Sequence, residues 1–200
     1  VLYDELYTQY GPAFFQLVAA VFGGLGVELT HAVARAVVLA LWIGTSVACG
    51  VTTYRLTRNL PVALVVQLLV FQVLNVSRHE PMHPGSLLAL ASALTVLVGA
   101  GLRGGSHPCA AAVIGALIAF TALTKVNIGL FAAVAVGFVL ASTVRWPRAA
   151  RSSTVVGALA VVLVAPAYMA ARLQDGWVQA YLVVVVCSAL AIVLAQWTTG

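Results

Sequence analysis

Three short stretches of this sequence concentrate the residues able to do acid–base or ionic chemistry. The first reads Tyr3-Asp4-Glu5-Leu6-Tyr7-Thr8-Gln9-Tyr10-Gly11-Pro12. A carboxylate here can serve as a general base or hold a cation, and the tyrosines can stack on a sugar or line a membrane surface. A solvated loop with interfacial tyrosines is the plainer reading of the same residues. The second stretch, Asn75 to Gly85, contains Arg78, His79, Glu80 and His83, with Pro81 and Pro84 stiffening the turn. Carboxylate and imidazole together suit a divalent cation such as zinc or manganese. Glu80 and His83 are therefore the candidate metal ligands. The same pair suits proton transfer, because histidine titrates near neutrality; a polar hairpin between two apolar segments is the alternative. The third stretch is Thr124-Lys125-Val126-Asn127, squeezed between two apolar runs with almost no loop. Lys125 there either snorkels to lipid headgroups or meets a phosphate as a point charge. Arg35, one turn after His31, faces the same two options.

The elements that must carry these stretches follow from composition. Hydrophobic residues make up 62% of the chain and charged residues 8%, against about a quarter charged in an ordinary soluble domain. Mean hydropathy is +1.07. Too few charges exist to clothe a water-facing surface. The apolar residues fall in long runs that do not alternate as barrel strands do. The net charge of +5 has a simple origin in the loops of a membrane protein. No basic patch interleaved with aromatics points to nucleic acid. Cys49, Cys109 and Cys187 lie far apart in apolar surroundings, without metal-type spacing. GxGxxG, Walker, HExxH and GxSxG patterns are absent.

These features predict an all-α fold, a polytopic transmembrane helix bundle formed by residues 1–200 as a single domain. Seven spans are expected, over 32–54, 60–76, 86–102, 109–124, 127–144, 154–171 and 177–197. Each is near the roughly 20 residues a bilayer core requires. Residues 1–30 form an outer-face loop and an interfacial helix over 13–27, which is apolar all round but short for a span. Alternating loops place Arg55, Arg58, Arg103, Arg145, Arg148 and Arg151 on one side, with no acid. The other side holds Arg35, Arg78, Lys125 and Arg172 together with Asp4, Glu5, Glu28, Glu80 and Asp175. The positive-inside rule puts the arginine-rich loops in the cytoplasm, as in a multi-pass protein of the plasma (inner) membrane. Acid chemistry or cation binding is then expected at the outer face.

Residues Tyr3, Asp4, Glu5, Tyr10, Gly11 and Pro12 resemble the first outer loop of GT-C glycosyltransferases, polytopic enzymes that include protein mannosyltransferases and use polyprenyl-phosphate sugars. In many relatives an acidic residue follows a tyrosine, and a Y-G-P then enters a helix lying along the membrane. Arg35 near the start of the next span, the loop with Glu80, His83 and Gly85, and the Lys125–Asn127 turn are similar to that family's layout as well. The resemblance implies transfer of a sugar from a polyprenyl-phosphate-linked donor at the outer face. It implies Asp4, Glu5 and Glu80 as catalytic carboxylates, and Tyr10, Arg35, Arg78, His83, Lys125 and Asn127 as substrate-binding residues. A divalent metal ion held by Glu80 and His83 is the cofactor expectation, and the lipid bilayer and the lipid-linked sugar are the expected partners. The family's usual catalytic aspartate follows a first transmembrane helix upstream of the Y-G-P element. With Val1 as its first residue, this chain is expected to be a fragment lacking that helix. The rival reading is a transporter or a lipid-linked-glycan flippase component. Its mark is ionisable residues in mid-span, whereas the charges here hug the span ends. On the transferase reading, Glu80→Ala abolishes sugar transfer while the protein still inserts into membranes. A fully active Glu80→Ala protein removes Glu80 from the site.

Overall fold

The computed structural model describes residues 10–76, 82–102 and 108–143, and beyond them 156, 167, 170–176, 178–179, 182–183, 186–187, 190 and 194. Asp4, Glu5, Arg78 and Glu80 lie outside the described residues, as do most of the expected spans 154–171 and 177–197. Every regular element among the described residues is helical: α1 (Pro12–Leu25), α2 (His31–Thr57), α3 (Leu60–Asn75), α4 (Pro84–Gly99), α5 (Pro108–Thr124) and α6 (Val126–Thr143), followed by a 3₁₀ turn at Ala170–Arg172. The chain divides into two compact units, Val1–Ala133 and Val134–Gly200. In the second, the Asp175 carbonyl accepts from the backbone N–H of Val178 and Gln179.

Local chemistry fixes the helix ends. Proline opens α1, α3 and α4 in the first turn, where its missing N–H costs nothing and its φ is already helical. Side chains of Thr30 and Asn59 cap α2 and α3 by accepting from Val33 N–H and Val62 N–H. Such caps contribute about 1 kcal/mol each. Gly26 closes α1 with φ of 62°, a left-handed turn that glycine adopts without strain. The sequence boundary at 86 falls two residues late because Pro84 belongs to the helix rather than to the loop.

Within the first unit α2 packs on both α3 and α4, α4 on α5, and α1 on α5. Two hydrogen bonds set α2 and α4 parallel. Near one end Trp42 Nε1–H donates to Ser86 Oγ, and near the other Arg55 Nη1–H donates to the Leu97 carbonyl. The two-residue link Arg58–Asn59 returns α3 antiparallel along α2, and Gly50 allows the close approach. A Cβ at Gly50 would lie 3.0 Å from Gln67 Oε1 and 3.4 Å from the Ala63 carbonyl oxygen.

α2 is the described helix long and apolar enough to cross a membrane, with 27 residues, or about 40 Å at 1.5 Å per residue. Only 33% of its most apolar stretch is buried, unlike the core helix of a soluble protein. Leu39, Ile43, Val47 and Val51 form an exposed apolar stripe at every fourth position. Helices α1, α3, α4 and α5 are apolar but shorter. Leu64, Leu68, Leu69 and Val73 are exposed on α3. Gly50→Val is expected to force α2 and α3 apart and lower stability by about 1–3 kcal/mol, read as earlier thermal unfolding in detergent. Gly23→Ala, in open space on α1, is expected to raise stability by about 0.5–1 kcal/mol. Equal melting of Gly50→Val and the parent would mean that the two helices do not meet at this point.

Candidate functional site

Three segments distant in sequence meet at one end of the first unit. The N-terminus of α1 brings Tyr10, the N-terminus of α4 brings His83, and the break between α5 and α6 brings Lys125. Tyr10 Oη lies 3.0 Å from His83 Nε2. The two rings meet edge to face, with centroids 5.8 Å apart. Lys125 Nζ stands 5.6 Å above the centre of the Tyr10 ring, within the range of a cation–π contact. Phe14 flanks Tyr10 at 6.3 Å and closes the apolar side of the group.

Each member is held by its backbone. Gly11 N–H donates to the Thr124 carbonyl at 2.8 Å, docking the start of α1 on the end of α5. A Cβ at Gly11 would strike the Leu123 carbonyl, so only glycine fits this joint. Lys125 is the single residue between α5 and α6. Its N–H donates to the Thr121 carbonyl and ends one helix, while its own carbonyl accepts from Ile128 and Gly129 and begins the next. A Cβ at Gly129 would strike the backbone of Ala122, so the first turn of α6 lies close against the last turn of α5. Lys125 is thereby fixed at a corner rather than carried on a loop.

His83 is both the cap of α4 and a member of the group. Its Nδ1 accepts from Gly85 N–H at 3.0 Å. With Nδ1 occupied as an acceptor, the proton of the neutral imidazole falls on Nε2, and Tyr10 Oη accepts it. Met82, just before, has φ of 61°, a left-handed conformation costing a non-glycine residue about 1–2 kcal/mol. That turn presents the imidazole across α4 toward Tyr10. Both His83 nitrogens are engaged within the protein, so a metal ion could take this side chain only by breaking one of the two hydrogen bonds. Among the described residues no three metal-ligating side chains cluster, and the other expected ligand, Glu80, lies outside them.

The remaining expected site residues stand apart. Arg35 is exposed on α2, and no hydrogen bond joins it to the group. Asn127 is exposed, its Oδ1 accepting from Ile128 N–H at 3.0 Å. Within Val1–Ala133 the described acid is Glu28, exposed in the α1–α2 link. Two features escaped the sequence reading. Trp42 and Ser86 form a buried hydrogen bond beneath the His83 turn; a tryptophan inside an apolar run, whose N–H must find an acceptor, is the signal that points to it. The second is Thr124, fully buried, whose hydroxyl has no hydrogen-bond partner among the described residues.

No family model matches the chain, and neither a curated protein nor a solved structure matches it.

An unpartnered buried hydroxyl costs about 1–3 kcal/mol. Thr124→Val, which keeps the shape and the backbone carbonyl that Gly11 uses, is therefore expected to stabilise the protein. Gly11→Ala is expected to destabilise it by about 1–3 kcal/mol through the clash at Leu123. Thermal unfolding of both variants checks this, and a Thr124→Val protein that melts earlier than the parent means the hydroxyl has a partner.

Proposed function

We propose that this chain is part of a multi-pass protein of the plasma membrane with its arginine-rich ends in the cytoplasm. In this reading Tyr10, His83 and Lys125 belong to an outer-face site where a sugar leaves a lipid-phosphate donor, as in glycosyltransferases of the GT-C type. The observation that carries the reading is the convergence of these residues from three separate segments. Each segment was singled out by its chemistry, and each comes to the same helix ends.

Several physical points support it. Arg35 and Arg55 bracket 19 residues of α2 without a charge, and their separation, about 30 Å along the axis, matches a bilayer core. The exposed leucines and valines of α2 and α3 suit acyl chains. Trp42 meets Ser86 seven residues below Arg35, so the group lies toward the Arg35 end of α2. Lys125 forms no ion pair with Glu28, the described acid of its unit. It is half-buried and fixed in place, a cation set to neutralise a departing phosphate.

The division of labour follows. Lys125 stabilises charge that develops on the phosphate oxygens as the sugar–oxygen bond breaks. Tyr10 orders the ammonium through its ring and is itself oriented by His83. Deprotonation of the acceptor falls to a carboxylate from Asp4, Glu5 or Glu80. A divalent ion near Glu80 and His83, if bound, would supply further positive charge.

Lys125→Met keeps the side-chain length and removes the charge. It is expected to lower kcat by about 10²–10³-fold, with Lys125→Arg far less impaired. The assay is transfer of radiolabelled sugar from polyprenyl-phosphate donors in vesicles containing the full-length protein. Wild-type vesicles that transfer sugar from no such donor, or a Lys125→Met protein of undiminished rate, overturn the reading.

A further inference from the structure

We propose that Trp42, acting through Ser86, is the positioning residue for His83. Trp42 is 6% exposed and Ser86 6% exposed, and the indole N–H donates to Ser86 Oγ at 3.0 Å in a buried contact. Ser86 is the third residue of α4, and its N–H donates to the His83 carbonyl at 3.2 Å. The turn that this bond anchors is the one His83 caps. Gly85, between them, has its N–H on His83 Nδ1, and a Cβ there would sit 2.7 Å from that same nitrogen. The imidazole is thus pressed against the turn with no slack. Its height relative to Tyr10 follows the height of Ser86 on α2.

The indole N–H and the Ser86 hydroxyl share apolar surroundings in which neither can turn to water. A bond made there is more directional and more costly to lose than one at the surface. Pro84 and Leu88, on either side of Ser86, are also buried on α4. To that apolar packing the hydrogen bond adds a directional constraint. Trp42 touches no substrate in this account. It acts on Tyr10 and Lys125 only through His83. The part His83 plays in sugar transfer rests on the reading above, whereas its positioning by Trp42 does not.

The test labels histidines with diethyl pyrocarbonate, which acylates an imidazole through a nitrogen lone pair. In His83 that lone pair faces Gly85 N–H. His31, exposed on the same helix as Trp42, serves as the internal reference. Full-length protein in vesicles, with Trp42→Phe, Ser86→Ala and the double variant, is labelled and the two sites are quantified by mass spectrometry. The His83-to-His31 rate ratio is expected to rise about five-fold in each single variant, the scale of one buried hydrogen bond, and no further in the double variant. A ratio unchanged in either single variant overturns the proposal. So does an equal rise at both histidines, which reports general loosening. The same vesicles assayed for transfer should show kcat falling with KM little changed. Should wild-type vesicles transfer nothing, the labelling ratio still decides the positioning.

Discussion

The meeting of Tyr10 with His83 and Lys125 hangs on one backbone hydrogen bond at a place with no room for a side chain. Gly11 donates to the last carbonyl of α5, and a Cβ at that position would overlap the Leu123 carbonyl. Helix ends leave carbonyls unsatisfied, and in apolar surroundings an unmet carbonyl is costly. Here the chain entering α1 satisfies one of them. By doing so it sets Tyr10 between the cap of α4 and the ammonium of Lys125. Loss of this joint would loosen the Tyr10 ring from both partners at once.

How much of this was legible in the sequence differs by level. Proline and glycine marked the helix limits well. α2, α3, α5 and α6 begin within a residue of the expected starts, and α4 begins earlier because Pro84 serves as its first residue. The candidate residues were legible as three stretches, because ionisable groups beside apolar runs are conspicuous. Their meeting was not, since convergence depends on which helices pack together and at what height, and apolar periodicity is nearly silent on both. Trp42 shows the limit most clearly. Its residue type announces a need for an acceptor, but Ser86, 44 positions away, is found only once α2 and α4 are known to run parallel.

The group also illustrates how a cation is made serviceable in a poor solvent for charge. Lysine carries a strongly hydrated ammonium on a flexible stem, and leaving it mobile would favour escape to water. Two constraints oppose that. The backbone of Lys125 is locked into both adjoining helices, and its head rests over an aromatic face whose quadrupole attracts it. Tyr10 in turn is held at its hydroxyl by an imidazole already committed to capping a helix. Each polar group thus serves a structural need and, through the same contact, orients its neighbour.

The single-residue corner at Lys125 carries a consequence for how this protein can vary. A helix turns about 100° per residue, so one residue inserted or deleted beside Lys125 would spin α6 about its axis by that amount. Gly129 would swing away from Ala122 and a bulkier neighbour would take its place against the α5 backbone. Length changes that an ordinary connecting loop absorbs are therefore closed to this corner. The spacing from Ala122 through Lys125 to Gly129 is thus as much a part of the site as the side chains are.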